Sequence, residues 1–175
     1  VEAHVQGRVT TVYQAQQLGT GHAVMQAAPM LERHRGANCL VLYGDAPLFS
    51  AATLQAAGAH HEENHLAATV ITAFTTDPTG YGRIVRDGNG LIQAIVEDKD
   101  ASEEQKRISE INGGAYWFSV DALLPALAAL RSNNAQEEYY LTDVPYSMNF
   151  KGQKVGAYVA PFAETAGAND RYQLF

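Results

Sequence analysis

Asp45 stands behind Tyr43 and Gly44 at the end of the most apolar run of the chain, Asn38–Tyr43 (NCLVLY). A carboxylate at the carboxyl end of a buried strand lies where open α/β sheets bind ligands. Mg²⁺ takes one or two such oxygens and fills its shell with phosphate and water. A plain turn before Pro47 is the competing use of Asp45. A second place for chemistry is QAQQLGTG, residues Gln14–Gly21, where glycines precede a helix. Backbone N–H groups at such a start suit an anion or a ligand carbonyl. No Lys follows, and the spacing is neither a P-loop nor G-x-G-x-x-G. Opening the helix is the plainer use of these glycines. A third is His61-Glu62-Glu63-Asn64-His65, a literal H-E-x-x-H. On one helix face that pattern holds Zn²⁺ for a hydrolase. Position 71 of an extended zinc motif is Ile71, and a solvated helix end explains the string better.

Smaller groups gain weight only together. Gly80-Tyr81-Gly82-Arg83 is a turn that lets backbone approach a ligand. Glu97-Asp98-Lys99-Asp100 sets three carboxylates around one lysine. Asn112 follows Ile111 near a strand and suits a sugar or an amide. Tyr139-Tyr140-Leu141-Thr142-Asp143 puts two aromatics before a helix, and Asn169-Asp170-Arg171 comes near the C-terminus after Gly167. Cys39 and Trp117 read as core.

The elements that must position these groups alternate. Val9–Tyr13 reads as a strand. A helix follows, capped by Thr20 and bent or ended at Pro29. Asn38–Tyr43 reads as a strand buried on both faces. Ser50 caps the next helix, and Ala67–Thr75 is another buried strand. Arg83–Arg86 and Leu91–Val96 flank Asp87-Gly88-Asn89-Gly90, a hairpin signal. Ala101–Ser109 reads as a short exposed helix. Ile111–Val120 reads as a strand broken at Gly113-Gly114, and Ser119 or Asp121 opens a helix after it. Leu141–Asn149 reads as helix and Lys154–Ala160 as strand. Strand–helix alternation predicts an α/β fold, a mostly parallel sheet with an antiparallel insertion. The whole chain, 1–175, reads as one domain.

Composition narrows the function. The chain has 175 residues, one cysteine, and 12 Lys+Arg against 19 Asp+Glu, a formal charge of -7. That charge argues against nucleic acid or an anionic membrane as the main partner. A lone Cys39 excludes an internal disulfide framework and fits a reducing, cytoplasmic compartment. The N-terminal stretch lacks the apolar core of a signal peptide, and no apolar run is long enough to span a membrane.

Taken in order, QAQQLGTGHAV, LYGDAPL, DPTGYGRIVR, IVEDKDA, EINGGAYWF, NNAQEEYYLTD and AGANDRYQL resemble one family. It is the uridyltransferase domain of the bacterial bifunctional N-acetylglucosamine-1-phosphate uridyltransferase/glucosamine-1-phosphate acetyltransferase. The resemblance covers essentially the whole chain. It implies a Rossmann-like nucleotidyltransferase fold and a role in UDP-N-acetylglucosamine supply for peptidoglycan and lipopolysaccharide. It also implies a reaction in which N-acetylglucosamine 1-phosphate attacks the α-phosphorus of UTP and pyrophosphate leaves. By resemblance, Gln14, Gly19 and Thr20 form the uracil pocket, and Tyr43 and Gly44 line the site. Asp45 and Asn169 hold Mg²⁺ and act as the catalytic pair. Gly82, Glu97 and Asn112 hold the N-acetylglucosamine, with Tyr139 and Thr142 as further sugar-side contacts.

The family domain opens with a strand and a glycine-rich loop carrying Arg and Lys, and Val1 begins past it. About the first third of that domain and the C-terminal β-helix are outside this sequence. Gly113 directly after Asn112, and one extra residue in the hairpin, are smaller departures. Arg83 and Lys99 are the nearby cations, and neither matches the phosphate-binding role. The expectation is therefore weak or absent turnover, with self-association covering an exposed face. Two other readings compete: a non-catalytic folded fragment that keeps partial sugar-nucleotide binding, and, more distantly, the zinc hydrolase.

Overall fold

The computed structural model describes residues 7–166. Its helices are α1 (Thr20–Gln26), α2 (Ala28–Leu31), α3 (Ala51–Glu63), α4 (Val120–Ala129), α5 (Asp143–Phe150) and α6 (Phe162–Thr165). Its strands are β1 (Asn38–Leu42), β2 (Ala68–Phe74), β3 (Arg83–Arg86), β4 (Ile92–Val96), β5 (Glu110–Ser119) and β6 (Val155–Val159).

The six strands form one mixed sheet. β1, β2, β3 and β6 run one way, and β4 and β5 run the other. The expected mixture of parallel strands with an antiparallel part is present. The antiparallel part extends beyond the β3–β4 hairpin, because β5 runs between the parallel strands β1 and β2. β2 and β6 are hydrogen-bonded in parallel. The hairpin closes where Asp87 accepts from the N–H groups of Asn89 and Leu91.

Side chains alternate across the sheet, as the period of a strand requires. Val70, Tyr116 and Phe118 face one layer, with Leu123 and Leu127 of α4 and Val144 and Met148 of α5. Ile71 and Ala115 face the other, with Ala57 of α3. Burying each large apolar side chain stabilises the fold by roughly 1.5–3 kcal/mol. Trp117 is half-buried rather than fully core. Its ring lies over Gly58, and its indole N–H donates to the Leu54 carbonyl. Cys39 is half-buried, and burial pushes its thiol pKa up, which keeps it unreactive.

Several local expectations change. Val9–Tyr13 forms no strand, and Tyr13 is 85% exposed. β1 is only partly buried, because its outer edge pairs with no described strand. The helix after Gly19 breaks at Ala27, and Pro29 falls in the first turn of α2, where its missing N–H costs nothing. Thr20 does not cap α1. Gly19 holds the cap position, and the Thr20 hydroxyl accepts from the Leu141 N–H instead. Ser50 caps α3 as expected, its Oγ accepting from the Thr53 N–H. Residues 101–109 contain one 3-10 turn, Gln105–Arg107, rather than a helix. Ser102 and Gln105 satisfy each other's backbone N–H groups, and Ile108 then turns extended into β5.

Candidate active site at the fork between β1 and β3

β5 changes neighbours halfway along. Ile111 pairs with Arg83 of β3, whereas Ala115 pairs with Leu42 of β1. Between them the register against β2 shifts, so that Ile71 opposes Ala115 and Thr72 opposes Asn112. Gly113 and Gly114 are the surplus residues of this bulge. Gly114 has φ +78, and a Cβ there would stand 3.0 Å from the Tyr43 ring. The expected break at the glycine pair is thus a bulge inside a continuous strand. β1 and β3 diverge around it, and the fork between them is the cleft.

A cavity of about 200 Å³ fills the fork. Tyr43 and Asp45 line it from the end of β1, Gly82 from before β3, Glu97 from after β4, and Asn112 from β5. Two backbone hydrogen bonds fix its walls: Asn112 N–H to the Gly82 carbonyl at 2.8 Å, and Tyr43 N–H to the Gly114 carbonyl at 3.0 Å. A second, more apolar hollow of about 430 Å³ adjoins it, lined by Thr20, Val24, Leu42, Tyr43, Gly44 and Asp45. Tyr43 and Asp45 belong to both.

The polar groups meet contrasting surroundings. Asp45 is exposed, and its carboxylate forms no hydrogen bond or ion pair with another described residue. An uncommitted hard oxygen donor fits Mg²⁺. Among the described residues no group of three His, Cys, Asp or Glu side chains is placed to hold a metal. Glu97 is partly buried, and loss of water pushes its pKa up; the Thr142 hydroxyl, donating at 2.9 Å, pulls it back. Asp98, Asp100 and Asp143 add repulsion to the upward push on Glu97. Burial also pushes the Tyr43 phenol up to about 12.

The remaining expected residues fall on the rim or outside. Gln14 donates to the Gly19 carbonyl and meets His22 Nδ1 at 3.0 Å. Gly19 has φ +104, and a Cβ there would lie 2.8 Å from the Tyr139 carbonyl. Gly21 donates to that same carbonyl. The glycines therefore let α1 dock against the Tyr139 loop, and the Gly21 N–H is spent there. Tyr139 lies near His22, ring centres 6.1 Å apart. Thr142 reaches the site through Glu97. Asn169 lies outside the described residues.

Two residues carry more of the site than their types suggested. Arg83 is 2% exposed. It donates to the Tyr81 and Lys106 carbonyls and pairs with Asp98 at 2.9 Å, tying the glycine turn to the end of β4. Its charge is spent within the fold, and Lys99 faces solvent. Tyr116 is fully buried, and its hydroxyl contacts both Asn112 and Tyr43. In the sequence it is one aromatic of an apolar strand, and only the register of β1 against β5 gives its hydroxyl a use.

The H-E-x-x-H string assembles no metal centre. His61 is buried, with Nδ1 at 3.0 Å from the Thr69 hydroxyl. Glu62 accepts from Asn38, and His65 lies past the end of α3 with φ +50. The zinc hydrolase reading ends there.

The Nucleotidyl transferase family model matches residues 2–163. Relatives named "Bifunctional protein GlmU" are similar along the chain. The one from Halalkalibacterium halodurans is 50% identical over 175 residues, and that from Brevibacillus brevis 51%. Another, from Geobacillus sp., is 49% identical. Each alignment covers 99% of this chain and 38% of the relative. The chain thus spans well under half the length of these relatives. With a match across nearly all its residues and a mixed sheet of the expected class, the chain belongs to the nucleotidyl transferase family.

Proposed function

We propose that this chain carries the uridyl-transfer site for UDP-N-acetylglucosamine synthesis, in the cytoplasm. An oxygen of N-acetylglucosamine 1-phosphate forms a bond to the α-phosphorus of UTP. The bond from that phosphorus to the β-phosphate oxygen breaks, and pyrophosphate leaves. The observation that carries the reading is the convergence of Tyr43, Asp45, Gly82, Glu97 and Asn112 on one cavity, from strands far apart in sequence. Glu97, Asn112 and the Gly82 backbone would hold the sugar, with Thr142 steadying Glu97 and Tyr139 near the rim. Thr20, Gly44 and Tyr43 line the adjoining hollow, which suits the flat base, with Gln14 and Gly19 beside it.

Mg²⁺ would be held by Asp45 together with Asn169. Its chemistry there is charge neutralisation and alignment of the phosphates. Such transfer needs positioning more than proton transfer, and the carboxylates of this cleft fit positioning.

One observation favours a second reading. Among the described residues that line the two hollows, none is Lys or Arg. A triphosphate would meet little compensating charge from them, which favours binding without turnover. Titration calorimetry of UDP-N-acetylglucosamine with Mg²⁺ tests the primary reading. Binding to the wild type that is lost in Asp45→Ala is the expected result. No binding by a chain that still melts cooperatively would overturn it. Turnover of UTP and N-acetylglucosamine 1-phosphate then separates enzyme from binding fragment.

A further inference from the structure

Asn112 is 7% exposed, and the protein holds both ends of its side-chain amide. Its Nδ2 donates to the Tyr116 hydroxyl at 2.6 Å, and its Oδ1 accepts from the Gly114 N–H at 3.2 Å. An amide has two N–H donors and two acceptor lone pairs. One N–H and one lone pair therefore remain for the cavity. Both partners matter to this outcome. Because the Gly114 N–H can only donate, it selects the oxygen end of the amide, and the Tyr116 oxygen then accepts from the nitrogen end.

Tyr116 has no exposure of its own and touches no ligand space. Its ring stacks on Phe118, centres 5.6 Å apart and 15° from parallel, so the hydroxyl has little freedom to move. Having accepted from Asn112, that hydroxyl also meets the Tyr43 hydroxyl at 3.3 Å, where either oxygen can be the donor. Tyr43 lines both hollows. One buried hydroxyl thus joins the amide on the β5 side of the cleft to the phenol on the β1 side. The bulge at Gly113-Gly114 makes this reach feasible, since it brings residues 112 and 116 to the same polar group.

We propose that Tyr116 is a positioning residue: by accepting from Asn112 Nδ2 and meeting Tyr43, it fixes the face of the Asn112 amide that the cavity presents to a ligand carbonyl or hydroxyl. Its dependence on the sugar-binding reading above extends only to the identity of that ligand. Without the phenolic oxygen, the Nδ2 end of the Asn112 amide loses its anchor, and the Gly114 N–H alone holds the oxygen end. The amide plane is then free to swing about that one contact, and the cavity meets its polar face less squarely.

Tyr116→Phe removes one oxygen and keeps the ring stack. Two readouts are needed. In ¹⁵N-labelled wild-type chain, the Asn112 side-chain amide should give one signal set, with one proton exchanging slowly. In Tyr116→Phe the protected proton should exchange freely, with the thermal transition still cooperative. UDP-N-acetylglucosamine with Mg²⁺ should bind about threefold to tenfold more weakly to the variant, the span of one lost hydrogen bond. If the variant turns over, KM for the sugar phosphate should rise while kcat holds. An unchanged, still protected Asn112 amide overturns the proposal. So does unchanged affinity in a pair where the wild type binds. Failure of the wild type itself to bind refutes the sugar-nucleotide reading alone, and the amide exchange still decides the role of Tyr116.

Discussion

Asp45 and Glu97 are carboxylates of one cleft under opposite constraints. Asp45 is exposed and bonds to no other described residue, so its loss should remove ligand and metal binding while leaving the fold almost untouched. Glu97 is desolvated, and the Thr142 hydroxyl favours its ionised form. Thr142→Val should therefore move the Glu97 titration still further up, as carboxyl carbon NMR would read; an unmoved titration would show that hydrogen bond to be idle. A carboxyl whose pKa is raised on folding contributes stability below its ordinary value of 4.5, and that contribution is lost as pH rises through the folded value. His61 works in the other direction. Burial holds its pKa below the ordinary 6.5, and the neighbouring charge of His60 adds to that, while Glu62 opposes it. Its contribution to stability is complete above 6.5 and is lost as pH falls through the lowered value. Urea unfolding at pH 7.5 and 5.5 should show the wild type weaker at the lower pH, and His61→Gln should flatten that difference. Equal pH dependence in the two proteins would assign the acid weakness to other groups.

Among the elements, the β5 bulge has the greatest consequence. Gly114 occupies the left-handed region, and a Cβ would press on Tyr43. Gly114→Ala should cost about 1–2 kcal/mol from the backbone conformation alone. A lowered urea midpoint with an unchanged slope would read it, and an unshifted midpoint would mean that the bulge relaxes freely. Tyr43 should move as well, so ligand affinity should drop further than stability predicts. The hairpin, the Ser50 cap and the break before Pro29 were legible in the sequence because each depends on neighbours a few residues away. The partial burial of β1 was not, because it depends on which strand, if any, lies along its outer edge. Val9–Tyr13 shows the same limit: β-branched residues favour a strand, but packing context decides whether one forms. Thr20 was read as a cap from its place before a helix, yet Leu141, far along the chain, claims its hydroxyl.

Across the molecule, the residues that line the cleft were legible as motifs, and their support was not. Asp45, Gly82, Glu97 and Asn112 have types that invite chemistry, and the fold brings them to one cavity. Arg83 and Tyr116 act from inside the core, where an arginine among strand residues and a tyrosine among apolar neighbours carry no local sign of their partners. The placement of β5 between β1 and β2 was equally hidden, since it rests on pairings between residues about 80 and 40 positions apart, such as Asn38 with Ser119 and Thr72 with Asn112.

That placement bears on how the protein is made. β5 is the shared partner of β1, β2 and β3, and all three precede it in the chain. As synthesis proceeds from the N-terminus, each of them leaves the ribosome before the strand that will join them. Among the described strands, the β3–β4 hairpin is the one pair able to close before β5 emerges, because β2 must wait for β5 on one side and β6 on the other. Pairings over such separations close slowly. Among the described strands, β1 and β2 thus wait for β5 while the residues between them are made, an interval in which chaperone capture or aggregation would bear on yield.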